Sequence, residues 1–285
     1  MSVIALSGLS QEKLLEWYDE HQRDLPWRKT DDPWAILLSE ILLQQTQVSR
    51  GLIYWKRMMD TFPTIQSMAE SSVDKVLKAW EGAGYYSRAR RLHALSQFVM
   101  LPSSKEGFDG SLPSSRDALL SLPGIGPYTA AAVSSIAFGQ PFACVDGNIR
   151  RVMARQHQMT EPSNKEVQSW ADEQLVRQRP GDWNQALMEL GATICTPKKP
   201  QCHLCPVNSS CLGRETATNY PKPKKTKVKE ITLWTCVEFD ADGNPVIHQR
   251  KQDGLFGGLW GPQLIEGQKP GKNGDDDFVG IVSHK

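Results

Sequence analysis

"SLPGIGPYTAAAV", residues 121–133, sets two glycines and two prolines directly against a run of alanines. Glycine and proline punctuate a chain, whereas alanine is the strongest helix former. The stretch therefore reads as a tight turn feeding a helix. Extended on both sides to "SSRDALLSLPGIGPYTAAAVSSIAFG", it becomes helix, turn, helix. Ser114 or Ser115 can cap the first helix, Pro123 ends it, Gly124 and Gly126 permit a turn with positive φ, and Pro127 takes the favoured first position of the second helix. With no side chain at two positions, the backbone N–H groups of such a turn form a site that a phosphate can approach closely. An ordinary αα-hairpin shows the same pattern, so the rest of the chain has to decide between them.

Outward from the hairpin, residues 10 to 195 keep a helical period throughout, in amphipathic segments broken by Pro, Gly or Ser, such as "QEKLLEWYDEHQ", "PWAILLSEILLQQTQVSRGLIYWKRMMDTF" and "NKEVQSWADEQLVRQ". The fold class is mainly α. A Pro- and Lys-rich linker, "NYPKPKKTKVKE", follows, and beyond it the period changes to two: "ITLWTCVEFDADGNPVIHQRK" reads as strand, turn, strand. The expected organisation is a helical region over 1–215, a basic linker over 216–230 and a β-containing module over 231–285. The chain's 285 residues are enough for two domains, and no run reaches the ~20 apolar residues of a membrane span. The start of the chain lacks a signal-peptide layout, so the expectation is an intracellular protein. A net charge of +1 neither favours nor excludes nucleic acid. Local clustering matters more, and residues 195–230 carry eight Lys or Arg against two Glu.

Four of the six cysteines, Cys195, Cys202, Cys205 and Cys211, fall within seventeen residues. In a reducing compartment such crowding argues for metal rather than disulfides. Zinc sites usually pair two CxxC knuckles across a longer spacer, whereas Cys-x6-Cys-x2-Cys-x5-Cys holds one; this favours a four-iron cluster over zinc. His203, inside the loop, reads as a solvated histidine.

Two carboxylates stand out. Asp32 can cap, and Pro33 can start, a helix that is apolar on almost every side, and it carries Glu40 among Ile36, Leu37, Leu43 and Gln44. A buried carboxylate without a positive partner holds its proton to a raised pH. In "CVDGNIRRVMAR", Asp146 precedes a helix bearing Arg150, Arg151 and Arg155; taken alone it reads as an ordinary helix cap, and in that place it is expected to stay ionised. One carboxyl kept protonated and another kept charged is the pair that glycosidic-bond chemistry requires.

In order and spacing, "LPWR", "SEILLQQTQV", "GAGYYSRARRLH", "LPGIGPYTAAAV", "VDGNIRRVMAR", "NQALMELGATIC" and the cysteine cluster resemble the helix-hairpin-helix DNA glycosylases, over roughly residues 10 to 230. Within them the motifs are most like the branch that removes adenine mispaired with 8-oxoguanine or guanine. The resemblance implies a helical glycosylase fold, a four-iron four-sulfur cluster on the four cysteines, and mispaired double-stranded DNA as partner. It implies that Glu40 protonates N7 of adenine and that Asp146 supports the sugar oxocarbenium ion. Tyr128 and Asn148 match residues that contact the aspartate and the sugar. Gln45 and Tyr85 match side chains that wedge into the duplex. Leu25, Trp27 and Arg28 match the adenine pocket, and Gln185 stands where some relatives carry glutamate. The resemblance places Gly124 and Gly126 in a DNA-binding hairpin, and Lys198, Lys199 and Arg214 on the basic cysteine loop are expected to face phosphates.

Endonuclease III-type relatives carry a Schiff-base lysine at the position of Tyr128, so the tyrosine implies base removal without strand cutting. The last module resembles the start of a Nudix fold, with Gly257, Gly258, Leu259 and Trp260 at its glycine-rich opening and Ser283 and His284 in the stretch that contacts the oxidised base. The resemblance further implies a monomer without membrane attachment, in a bacterial cytoplasm, associated with the nucleoid.

Overall fold

The computed structural model describes residues 8–223, 231–251 and 256–267. The chain divides into two compact units, residues 1–223 and 224–285.

In the first unit, helix follows helix: α1 (Gly8–His21), α2 (Pro33–Leu42), α3 (Val48–Thr61), α4 (Ile65–Ala69), α5 (Val73–Ala79), α6 (Tyr86–Met100), α7 (Arg116–Ser121), α8 (Pro127–Phe138), α9 (Gly147–Gln156), α10 (Asn164–Gln174) and α11 (Pro180–Thr193). Short 3-10 turns cover Pro26–Arg28 and the cysteine loop. Local chemistry sets the starts. Asp32 accepts the Trp34 N–H and Pro33 opens α2, Ser115 accepts the Ala118 N–H at α7, and Ser163 with Glu166 closes a capping box at α10. Every residue of α2 from Trp34 to Leu42 is buried.

These helices enclose two apolar cores. One gathers α2 to α6 around Leu37, Leu38, Phe62, Met68 and Trp80. The other gathers α1, α9, α10 and α11 around Leu14, Trp170, Trp183 and Leu187. Helix α8 belongs to both: Ala130 and Val133 pack into the first, Ala131 and Ala132 into the second. The alanine run is thus explained by position. A helix covered on both sides needs small side chains so that α2 and α11 can approach its opposite faces, and both do pack against it.

The hairpin between α7 and α8 corrects one detail. Gly124 has φ +80, and a Cβ there would lie 2.8 Å from that of Arg91. Gly126 is extended (φ −101, ψ 175) and caps α8. Only the first glycine is required by backbone conformation; at the second a Cβ would meet no atom within 4 Å, which leaves the turn open to a ligand.

A second difference concerns "PWAILLSEILLQQTQVSRGLIYWKRMMDTF". The apolar run is two helices, α2 and α3, separated by a turn in which Gln45 adopts φ 60.

Among its described residues the second unit holds three short antiparallel pairs: β1 (Leu233–Cys236) with β6 (Gln263–Glu266), β2 (Glu238–Phe239) with β3 (Pro245–Val246), and β4 (His248–Gln249) with β5 (Trp260–Gly261). Asp240 forms the expected turn by accepting the N–H groups of Asp242 and Asn244. Ser283 and His284 lie outside the described residues. Among the described residues no helix is long and apolar enough to cross a membrane.

Candidate active site and metal centre

A cavity of about 400 Å³ opens in the first unit, where α2, α8, α9 and α11 meet beneath the 3-10 turn Pro26–Arg28. That size suits a small ligand. Glu40, Tyr128, Asp146, Asn148, Leu25, Trp27, Arg28, Gln45 and Gln185 all line it, so most of the residues singled out in sequence converge on one place. Gly124 and Gly126 stand in the hairpin. Tyr85 is 61% exposed with φ 48, and Gln45 is also exposed with a positive φ, the geometry expected of side chains that project from a surface.

Glu40 projects from the buried α2. The Tyr128 hydroxyl, at the start of α8, donates to its Oε2 at 2.8 Å and also lies 3.4 Å from Met188 Sδ. Burial pushes the Glu40 carboxyl up to about 7; the Tyr128 bond pulls down, the Asp146 charge pushes up and Arg28 pulls down. Near neutrality it is an acid still able to give a proton.

Asp146 is the N-cap of α9. Its Oδ1 accepts the Ile149 N–H at 2.8 Å and its Oδ2 accepts Asn148 Nδ2 at 2.7 Å. Burial raises its pKa, and the Ile149 and Asn148 donors and the more distant Arg151 only partly offset that rise. The helix start therefore does not hold this carboxyl below the ordinary aspartate value, as the sequence suggested. Instead, the donors limit the effect of burial.

Asn148 is itself fixed. Arg151 donates to Asn148 Oδ1 at 2.8 Å, to the Gly191 carbonyl at 2.7 Å and to the Cys195 carbonyl at 2.7 Å. At Gly191, a Cβ would fall 2.5 Å from that of Asn148, so α9 and α11 meet here at backbone distance. A continuous chain of hydrogen bonds thus runs from Asp146 to the backbone of the first cysteine of the loop.

The wall of the cavity holds a group that sequence reading missed. Glu189, on α11 and fully buried, accepts Arg23 Nε and Nη2 at 2.7 Å each and Arg28 Nη2 at 2.8 Å. These two arginines pull its pKa down to about 2 against the push of burial. The partners lie more than 160 residues apart in the chain, and no periodicity signals them.

Cys195, Cys202, Cys205 and Cys211 line one cavity with Arg155 and Arg214. Arg155, 2% exposed, donates to the carbonyls of Cys195, Thr196 and Pro197 and to the Cys195 sulfur, at 2.8 to 3.3 Å, and so fixes the loop. Among the described residues no three His, Cys, Asp or Glu close in on a single ion. Four thiols lining one cavity, on a loop with a single CxxC, suit a multi-atom iron–sulfur group better than zinc. Lys198, Lys199 and Arg214 are exposed on this loop, and Arg214 pairs with Glu215 at 3.3 Å.

A helix-hairpin-helix fold with two carboxyls in one cavity and a four-cysteine loop defines a class of DNA repair proteins, and the comparisons agree. Residues 38–175 match the model of the HhH-GPD superfamily of base excision DNA repair proteins, and residues 195–211 match the iron-sulfur binding domain of endonuclease III. The chain belongs to the HhH-GPD superfamily. Relatives named adenine DNA glycosylase include one from Homo sapiens (44% identical; 71% of this chain, 39% of the relative), one from Schizosaccharomyces pombe (39%; 90% and 69%) and one from Mycolicibacterium smegmatis (40%; 73% and 70%). The chain spans 39 to 59% of the length of the mammalian relatives it matches. Among solved structures, a thermostable thymine-DNA glycosylase superposes with a TM-score of 0.66 at 30% identity, covering 72% of this chain and 94% of that one. An endonuclease III in a non-covalent DNA complex, 22% identical with a TM-score of 0.62, shares the fold.

Proposed function

We propose that this chain is a DNA glycosylase that releases adenine mispaired with 8-oxoguanine or guanine from double-stranded DNA, acting as a monomer and without cutting the strand. The observation that carries the reading is that Glu40 and Asp146 face the same cavity, one poised as an acid near neutrality and the other held by two donors. In this account the hairpin at Gly124 and Gly126, with the basic cysteine loop, holds the DNA backbone. Gln45 and Tyr85 enter the duplex as adenine leaves it, and the base settles between Leu25, Trp27, Arg28 and Gln185.

The Tyr128 hydroxyl occupies Glu40 Oε2, so the transferable proton sits on Oε1. Its transfer to N7 turns adenine into a neutral leaving group, and the electron pair of the glycosidic bond departs with the base. Asp146 stabilises the resulting sugar cation until water adds and gives up its proton. Asn148 keeps the Asp146 carboxylate oriented. The iron–sulfur cluster, when bound, holds the basic loop in shape; Cys195, Cys202, Cys205 and Cys211 would ligate it. No amine stands at position 128, so no Schiff base forms there to cut the strand. The residues from 231 onward fit the opening of a module that reads the opposite, oxidised base.

The structural match to a thymine-DNA glycosylase supports a second reading, removal of thymine. Base release under single-turnover conditions separates the two. With Glu40→Gln or Asp146→Asn, adenine release should fall by at least about a hundredfold, in line with loss of general acid or electrostatic catalysis. Intact rates in either variant would dismiss the two-carboxylate mechanism.

A further inference from the structure

One buried side chain joins elements that the proposed mechanism uses separately. Arg88, on the first turn of α6 and 9% exposed, reaches two loops at once. Its Nη1 donates to the carbonyls of Ile41 (2.8 Å), Leu42 (3.1 Å) and Gln44, at the end of the helix that bears Glu40. Its Nη2 faces the carbonyls of Ala83 (3.3 Å) and Gly84 (3.4 Å), directly before Tyr85. The guanidinium lies 5.4 Å from the ring centroids of both Trp80 and Tyr85, and Trp80 Nε1 donates to the Gly84 carbonyl at 2.9 Å.

The residues that follow these carbonyls share an uncommon geometry. Gln45 has φ 60 and Tyr85 φ 48, both left-handed, which is costly for a side chain larger than glycine and persists only where the surroundings enforce it. Both side chains are exposed. A planar guanidinium with five donors can bridge two strands of backbone, whereas an ammonium is a point charge and cannot span them. The position is also electrostatically apt, since a cation at the C-terminal end of α2 meets its unsatisfied carbonyls and the negative end of its dipole.

We propose that Arg88 is the positioning residue for the duplex-opening step: it locks the Gln44–Gln45 turn and the Ala83–Tyr85 turn into one rigid unit, so that both wedge side chains enter DNA together at a fixed distance from Glu40. It touches neither the base nor the sugar and acts through the two loops. The proposal rests on the glycosylase reading above in assigning what the loops enter, but the clamp itself is a property of the free protein.

Arg88→Lys keeps the charge and removes the fork. Hydrogen exchange in the DNA-free holoprotein is the first readout. Amides of residues 43–47 and 83–86 should both exchange at least tenfold faster in the variant, while the α8 and α11 cores stay protected. Loosening of neither loop, or of one alone, would overturn the clamp whatever the enzyme's substrate proves to be. The second readout uses a mispaired duplex with 2-aminopurine next to the target adenine. The fluorescence rise on base extrusion should be lost and single-turnover release slowed at least tenfold, and this slowing should vanish when Arg88→Lys is made in a Gln45→Ala, Tyr85→Ala background. An undiminished slowing in that background would show that Arg88 does not act through the wedge. If the wild type releases no adenine, the glycosylase reading fails, and the exchange result still judges the clamp.

Discussion

Replacing Tyr128 with phenylalanine deletes one oxygen, the donor 2.8 Å from Glu40 Oε2, and leaves the ring packed beside Met188. The hydrogen bond favours the charged form of Glu40 and so opposes the rise that burial produces. A hydrogen bond to a charged group is worth roughly 1.5–3 kcal/mol, and one pKa unit corresponds to about 1.4 kcal/mol. The protonated acid keeps part of that interaction, so the lower end applies and Glu40 should move up by about one unit. The acid must be protonated to act, so the rate falls as pH rises through its pKa. With the wild-type group at about 7, roughly one molecule in eleven is protonated at pH 8, whereas after a one-unit rise it is roughly half. Single-turnover adenine release measured from pH 5 to 9.5 should therefore show the alkaline limb displaced upward by about one unit in Tyr128→Phe, with a lower plateau because a weaker acid transfers its proton less readily. An alkaline limb that stays in place or moves down would refute the assignment of Glu40 as the acid and Tyr128 as the group that tunes it.

Asn148→Ala removes a donor 2.7 Å from Asp146, which must act ionised; its pKa should rise, the acid limb of the same profile should move to higher pH, and the rate should fall by about ten- to a hundredfold. Glu189→Gln leaves Arg23 and Arg28 without their buried counter-ion and should lower stability by about 3 kcal/mol at neutral pH, read as a fall in denaturation midpoint. Because the folded-state pKa of Glu189 is depressed to about 2, that stabilisation is present above the ordinary glutamate range and lost as pH falls towards 2, so the two proteins should converge in acid. Cys205→Ser should lose the brown visible absorbance of the wild type, which should contain about four iron and four sulfide per chain; a colourless protein holding one zinc would contradict the cluster.

The sequence made the elements legible wherever the physics is local. The hairpin was readable because Pro123, Gly124 and Pro127 each act on their own backbone, and α2 because Asp32, Pro33 and the apolar residues 34–38 are contiguous. The carboxyl pair was recognisable as chemistry, but its convergence depends on α8 lying between two cores, which no window of sequence displays. The break at Gln45 was missed because the contacts that hold it are distant: Arg88, 43 residues further on, donates to the Ile41, Leu42 and Gln44 carbonyls, which a continuing helix would have paired with its own N–H groups. Glu189 was missed for the same reason, since a buried charge looks like any other glutamate until its arginines are placed. Asp146 shows the opposite error. Its donors were anticipated from the helix start, but the degree of burial that outweighs them belongs to tertiary structure.

The most direct test of the central claim is base release from three duplexes, with adenine opposite 8-oxoguanine, adenine opposite guanine, and thymine opposite guanine, incubated with excess holoprotein and analysed with and without alkali. The account predicts free adenine from the first two, none of the third base, and strand breaks only after alkali. Thymine release, or no release of adenine from either mispair, would contradict it.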